Sequence, residues 1–165
     1  MRTLIWTAHN NFFAIDVAHI REVCPVVSAQ PLPASPAWML GLFDYHGAFV
    51  PLLDAGILTG KIAIEPKVGS RTILMEVPMD ANDPTCSTSI FGLRVEQVIG
   101  LRDLNYNGAW NPSAGLPEFE HLREVLNIAE GRAQVFDARL IAMQHERILQ
   151  GSSAVATKND RRLGS

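Results

Sequence analysis

The residue types that could do chemistry are few in this chain, and they are scattered. The two cysteines, Cys24 and Cys86, belong to no CxxC pair and cannot make a disulfide framework. Cys24 lies between Val23 and Pro25 in a strand-like run, where a buried and unreactive thiol is the ordinary state. Cys86 sits in a polar stretch with no neighbour in sequence that would lower its pKa. The histidines are His9, His19, His46, His121 and His145, and none stands in an HxH, HxxxH or HExxH spacing. A zinc site of those kinds therefore has no support, and only one assembled from distant residues stays open. No GxGxxG, GxxxxGKS or GxSxG occurs, so the usual phosphate cradles and the strained nucleophile turn are missing. Glu118 and Glu120 are paired carboxylates, but in a polar stretch before His121 they read as solvated surface. These observations predict no catalytic residue, no metal and no cofactor.

One local cluster is unusual. Gly41-Leu42-Phe43-Asp44-Tyr45-His46-Gly47 places an acid, two aromatics and an imidazole between two glycines. It reads either as an ordinary hairpin or as a docking loop, with Gly47 supplying a positive-φ turn position. Three tryptophans could also mark a binding surface, since aromatics are enriched at hot spots. Trp6 lies in a strand and Trp38 precedes an apolar run, so both read as packing residues, whereas Trp110 lies in an irregular stretch.

The elements that must position these residues follow from a period of two. Leu4–Thr7 and Phe12–Ile15 flank His9-Asn10-Asn11 and predict a first hairpin. Ile20–Val27 is rich in β-branched residues and predicts a third strand. Ser35-Pro36 can start a helical turn. Met39–Asp44 and Ala48–Leu53 form a second hairpin, and Asp54 can cap one helical turn that ends at Gly60. Lys61–Ser70 reads as a loop, and Arg71–Val77 as a strand. Pro78–Ser87 carries two prolines and two aspartates and reads as an exposed loop. Thr88–Val95 and Gln97–Arg102 are strands, and Asn105–Glu118 is irregular. A hairpin signal at Glu130-Gly131 joins Arg123–Ile128 to Arg132–Phe136, and Asp137 then caps a helix to about Gln150. Residues 151–165 are small and polar and read as a disordered tail. Ile15, Val50, Leu52, Ile73, Leu93, Val95, Val135 and Phe136 are the expected core. Short, closely spaced strands with one substantial helix predict an all-β barrel or sandwich.

Length and composition agree with that reading. The chain has 165 residues, about one domain's worth. It is 47% hydrophobic and 19% charged, too apolar for a disordered chain. Its net charge of −3 offers no basic excess for phosphate backbones, which disfavours a general nucleic-acid binder. The uncharged part of Val23–Phe43 is interrupted by Pro25, Pro31, Pro33 and Pro36, so it cannot be one membrane helix. The opening residues lack a signal peptide's long apolar core, and a cytoplasmic location is expected.

The second hairpin and its sequel resemble a known family. Gly41-Leu-Phe-Asp44-Tyr-His46-Gly47-Ala-Phe-Val50-Pro51-Leu-Leu-Asp54 is similar to the signature of CheW-like domains. That signature runs Gly, two aliphatics, Asn, a variable residue, Arg, Gly, then an apolar strand with Pro and Asp. Phe13–Asp16 with Ile20–Val23 is similar to the family's second strand and its Val-x-Glu-Ile. Pro33–Met39 resembles the proline-bearing turn before the hairpin, and Phe91–Val98, with Glu96, the family's Gly-aliphatic-x-Val-Asp-x-Val. Gly131–Ile141 with Asp137 resembles the closing strand and helix. The resemblance spans about Leu4–Leu149.

The resemblance implies two small five-stranded SH3-like β-barrels sharing a core, with one C-terminal helix, over residues 1–150. It implies a non-enzymatic adaptor that couples the cytoplasmic tip of a chemoreceptor to the regulatory domain of a histidine kinase. Other CheW-like domains are further possible partners; nucleic acid and direct membrane insertion are not expected, and recruitment to membrane receptor arrays is. The partner-binding residues it implies are Ile20, Glu22, Phe43, Asp44, Tyr45, His46 and Gly47. Asp44 and His46 depart from the family's Asn and Arg, and Arg offers a permanent charge and a rigid fork that His lacks. With the long PMDANDPTCS loop, these departures point to a divergent member in a pathway such as surface sensing or pili. The rival readings are a small enzyme using Cys86 or Cys24 with a histidine, and a β-barrel holding a small ligand. The composition of Pro78–Ser87 predicts that limited proteolysis nicks it before Arg71–Val77; equal protection of the two segments would refute the loop.

Overall fold

The computed structural model describes residues 1–60, 62–80, 82, 83, 85, 87–105 and 122–149. The strands are β1 (Arg2–Ala8), β2 (Asn11–Asp16), β3 (Ile20–Pro25), β4 (Met39–Tyr45), β5 (Ala48–Asp54), β6 (Arg71–Pro78), β7 (Thr88–Val95), β8 (Gln97–Asp103), β9 (Leu122–Ile128) and β10 (Gly131–Phe136). A short 3-10 turn, Val17–His19, joins β2 to β3, and a one-turn helix, α1 (Ala55–Gly60), follows β5. Residues 138–149 form a helix, α2.

The strands make two five-stranded sheets. The first has the order β8-β1-β2-β10-β9 and the second β3-β6-β7-β5-β4. Each sheet is two hairpin-like antiparallel pairs joined by one parallel pairing, β2 with β10 and β5 with β7. A fifth strand then adds to one side, β8 on β1 and β3 on β6. The first sheet is discontinuous in sequence, because β3 to β7 intervene between β2 and β8. The expected fold class, two five-stranded β units with one C-terminal helix, is the one observed.

Three apolar clusters account for the packing. The largest is shared by both sheets and α2, and holds Trp6, Phe13, Ile15, Ile73, Leu93, Val95, Phe136 and Ile141. Trp6 is stacked on Phe13 at 4.6 Å and meets Phe136 edge-on at 5.5 Å. A second cluster, Phe43, Val50, Leu52 and Leu74, fills the second sheet, and a third around Ile5, Ala14 and Ala133 fills the first. Each fully buried large apolar side chain contributes about 1.5–3 kcal/mol relative to exposure. All eight residues expected in the core are buried.

Both expected caps form. Asp54 Oδ1 accepts from the Ile57 amide at 3.0 Å, and Asp137 Oδ1 from the Arg139 amide at 3.0 Å. Two expectations need correction. Ser35-Pro36 starts a single hydrogen-bonded turn, the Met39 amide on the Pro36 carbonyl at 3.0 Å, and no helix; Ser35 does not cap it, since its hydroxyl donates back to the Leu32 carbonyl at 2.8 Å. The third strand ends at Pro25, before Val27, because Pro has no amide to extend the ladder. The described residues of the Pro78–Ser87 segment beyond Pro78 are all exposed, as expected. The irregular stretch with Trp110, Glu118, Glu120 and His121, together with Cys86 and the tail 151–165, lies outside the described residues.

The helix α2 docks through Ala138, Ile141, Ala142 and His145, one face at helical spacing. His145 is fully buried, its ring 4.9 Å from that of Phe91 and its Nε2 2.7 Å from the Ser89 hydroxyl. That hydroxyl donates to Glu146 at 3.0 Å, so Nε2 carries the proton and donates to Ser89. Burial pushes the imidazole down to about 4 from 6.5. Between those values the unfolded chain binds the extra proton, so stability falls as pH drops through this window. Urea unfolding at neutral pH and near pH ~4.5 should show an acid loss that is smaller in His145→Gln by on the order of 2 kcal/mol. Equal losses in the two proteins would show that His145 is not the titrating group.

Candidate functional site

A groove of about 470 Å³ runs along the junction of the two sheets. Leu4 on β1 and Val17 between β2 and β3 line its buried side. Ile20, Glu22 and Val23 on β3 form one wall, and Leu101 on β8 with Arg2 forms the other. Val23 is 42% exposed and Leu101 48%, so the rim of the groove is open and apolar. Within this wall the register of β3 on β6 shifts, so Ile20 and Glu22 lie opposite the consecutive residues Met75 and Leu74.

The β4–β5 hairpin tip stands beside β3, although the two strands lie at opposite edges of the second sheet. Tyr45 pairs with Ala48, and both residues between them have positive φ, His46 at 49° and Gly47 at 87°. That is the backbone of a two-residue I′ turn, which glycine adopts without strain at its second position. The Gly47 amide donates to Asp44 Oδ1 at 2.8 Å, so the acid at the family's Asn position caps the turn. Tyr45 is half-buried, its ring packed against the apolar filling of the second sheet. The His46 ring meets the Tyr45 ring edge-on at 4.4 Å, and Arg21 lies over the other ring at 5.6 Å. Arg21 also pairs with Glu76 on β6 at 3.8 Å.

Glu22 is where groove and hairpin meet. Its Oε1 accepts from the Cys24 thiol at 3.2 Å. The Cys24 hydrogen bond, then the Tyr45 hydroxyl, hold the Glu22 carboxyl below the usual glutamate range, with the charges of His46 and Arg21 adding to them. The reverse effect falls on the thiol. Burial first, then the Glu22 hydrogen bond and charge, push Cys24 up to about 11. A thiol at that pKa is almost wholly protonated at neutral pH and is a poor nucleophile, against the enzyme reading for this residue.

Six of the seven residues expected to bind a partner lie together at this surface: Ile20, Glu22, Asp44, Tyr45, His46 and Gly47. Phe43 does not. It is 5% exposed and points inward, where a Cβ on Gly92 would stand 2.8 Å from its ring. Strand alternation explains the correction, since Phe43 and Val50 pair on the inner face while Asp44 and Phe49 pair on the outer one. Sequence reasoning missed Arg21, Val23 and Leu101. An apolar residue at a solvent-facing strand position is the available signal, but the strand's facing must be known to read it. Among the described residues no group of three or more His, Cys, Asp or Glu side chains could hold a metal ion.

The family model of the CheW-like domain matches residues 2–145. The chain belongs to the CheW-like domain family. Two curated relatives are the "Chemotaxis protein CheW" of Rhizobium meliloti (strain 1021), 32% identical over 65 residues, and the "Probable chemotaxis protein CheW" of Rhizobium etli, 29% identical over 65. Each alignment spans 39% of this chain and 42% of the relative, less than half of either length. In fold the chain is similar to the scaffolding protein TtCheW from Thermoanaerobacter tengcongensis. The TM-score is 0.68 at 16% identity, over 83% of this chain and 84% of that one. Against the CheW-like signature, Asp44 and His46 are the hairpin's departures, and Glu96 holds the family's late acid position. Glu96 Oε2 accepts from the His9 amide at 2.8 Å, which ties the β1–β2 turn to the β7–β8 turn.

With its thiol near 11, Cys24 should react with iodoacetamide at neutral pH on the order of 100-fold more slowly than a free cysteine. Glu22→Gln removes the charge that opposes the thiolate and should speed the reaction. Labelling of Cys24 at the free-cysteine rate, followed by mass spectrometry, would contradict this environment.

Proposed function

We propose that the protein is a non-enzymatic adaptor that couples a chemoreceptor's cytoplasmic tip to the regulatory domain of a histidine kinase. The observation that carries the proposal is the groove: an open apolar trough in a chain of the CheW-like family, with one acid, Glu22, on its wall. The groove takes the receptor tip, with Ile20, Glu22, Val23 and Leu101 as contacts and Asp44, Tyr45, His46 and Gly47 extending the surface. An apolar strip with one carboxylate, Glu22, and one guanidinium, Arg2, on facing walls fits a helical receptor segment that offers apolar side chains flanked by one charge of each sign. Other CheW-like domains are further partners in an assembled array. Binding to receptors would bring the protein to the membrane without insertion, from the cytoplasm. Among the described residues no helix is long and apolar enough to cross a membrane. The hairpin's Asp44 and His46 favour a pathway other than motility, such as surface sensing or pili, because the tip lacks a permanent cation there.

Calorimetry of the full chain against a soluble fragment of a receptor's signalling tip tests the groove. Val23→Asp and Leu101→Asp should each weaken binding by roughly tenfold or more, because a charge is set into an apolar contact. Val68→Asp, at a fully solvated position of the α1–β6 turn outside the groove, should leave affinity unchanged. Equal effects of all three variants, or no binding of any receptor tip by a protein that retains the kinase regulatory domain, would overturn the assignment of the groove.

A further inference from the structure

β1 runs along the junction between the sheets, and its two ends do different things. Arg2 and Leu4 at its start line the groove, and Ala8 at its end leads into the β1–β2 turn. Six steps of roughly 3.3 Å put that turn about 20 Å from Arg2. There the chain crosses from β7 to β8 at Glu96, whose amide donates to the Thr7 carbonyl at 2.9 Å and whose Oε2 accepts from the His9 amide at 2.8 Å. The His9 side chain then reaches across to the other half. Nε2 donates to the Ile62 carbonyl at 2.6 Å, since a carbonyl can only accept. The ring lies against α1 where that helix carries no side chain: a Cβ on Gly56 would stand 2.9 Å from Nε2, and one on Gly60 3.8 Å from Cδ2. Ile62 is itself held in place, because the Ile64 amide two residues on is fixed by the buried Asp54. In the turn, Ala8 pairs with Asn11, and both residues between them have positive φ, His9 at 48° and Asn10 at 64°. Asn is the preferred residue at the first position of such a I′ turn. Its side chain is too short to reach Ile62, so what His9 adds to the turn is reach.

We propose that His9 is a positioning residue, a staple that fixes the angle between the two sheets at the end of the junction remote from the groove and so sets the groove's width. The groove walls belong to different sheets, Val23 on β3 of the second and Leu101 on β8 of the first. Any rotation of one sheet on the other therefore moves the walls apart or together. Apolar burial in the shared core is non-directional and resists separation more than a small rotation. A hydrogen bond weakens steeply with misalignment, and His9 supplies two of them, its amide on Glu96 and its ring on Ile62. The crossing from β2 to β3 lies at the groove itself, where Val17 is part of the lining, so the two ties stand at opposite ends of β1. That receptor binding depends on this width rests on the function proposed above; the staple itself does not.

The test uses the full-length protein, weakly aligned for NMR, with amide residual dipolar couplings fitted separately for each sheet. In the native chain one alignment tensor should fit both sheets. His9→Asn keeps a residue that suits the turn and loses the reach to Ile62; each of its sheets should still fit well, but the two should need different tensors. Asn10→Gly relaxes the same turn with the ring left in place and should keep the single tensor. His9→Gln carries a nitrogen donor the same number of bonds from Cα and should keep it too. A native orientation in His9→Asn, or an equal rotation in Asn10→Gly or His9→Gln, would overturn the proposal. Loss of the fit within either sheet of His9→Asn would overturn it as well, since His9 would then hold the fold and not the angle. Receptor-tip affinity should fall roughly threefold or more in His9→Asn, although His9 lines no part of the groove. Rotated sheets with undiminished affinity would uphold the staple and count instead against the groove as the receptor site.

Discussion

A side chain at residue 41 would place its Cβ 2.1 Å from the Gln30 carbonyl oxygen, so this position has room only for hydrogen. Gly41 also holds φ at 141°, where β4 bulges against β5. That contact lets the segment after β3 cross back and pair with β4, and the second sheet curls until its edges meet. The guanidinium of Arg94 fixes the same crossing from within, since Nη2 donates to the Val27 carbonyl at 3.0 Å. Without the curl, β3 and the hairpin tip would lie at opposite ends of a five-stranded sheet. With it, Arg21 of β3 lies over the Tyr45 ring. The candidate surface is therefore a consequence of backbone closure some distance away, and any side chain at residue 41 has to open that closure to fit.

The first sheet closes by a different interaction, and the difference bears on how the two halves behave. Its edges are tied by Arg102 on β8 and Glu130 in the β9–β10 turn, a partly exposed ion pair. Exposed pairs of this kind add little stability, so the filling around Ile5, Ala14 and Ala133 has to supply most of the closure. Between the sheets lies the shared core with α2 docked on it, and burial there supplies the energy that sets their relative position. The groove is the outer margin of that same junction. Leu4 and Val17 contribute both to the shared core and to the groove's lining. A partner that fills the groove would extend the core outward.

The polar ties follow the same economy of place. Asp54 is completely buried, and both of its oxygens face the Ile64 amide at 3.2 Å while Oδ1 also serves Ile57. One carboxylate thus fixes the end of β5, the start of α1 and the return of the chain toward β6. His9 does similar work across the sheets: its amide donates to Glu96 and its Nε2 lies 2.6 Å from the Ile62 carbonyl. Asp54 and Glu96 stand at positions of the CheW-like signature and hold turns together, and Asp44 does the same for the hairpin tip through the Gly47 amide.

Much of this was legible in the sequence, because strand positions, turns and caps are local. The period of two located every strand to within a few residues, Asp54 and Asp137 announced their caps, and the eight expected core residues are buried. The motif order from Gly41 to Asp137 pointed to the CheW-like family, and six of the seven expected contact residues share one surface. Local pattern cannot say which strands pair, and there the tertiary structure decided. The parallel pairing of β2 with β10 joins segments more than a hundred residues apart, and the similar design of the two sheets left no repeat in the sequence. Nor could pattern tell that Phe43 turns inward while its neighbours turn outward, or that Leu101 would come to lie opposite Val23. Facing depends on register, and register is set by pairing and by bulges such as those at Ile20/Glu22 and Met39/Gly41. The residues that can do something were written in the sequence; which of them meet was fixed only when the two sheets curled and packed.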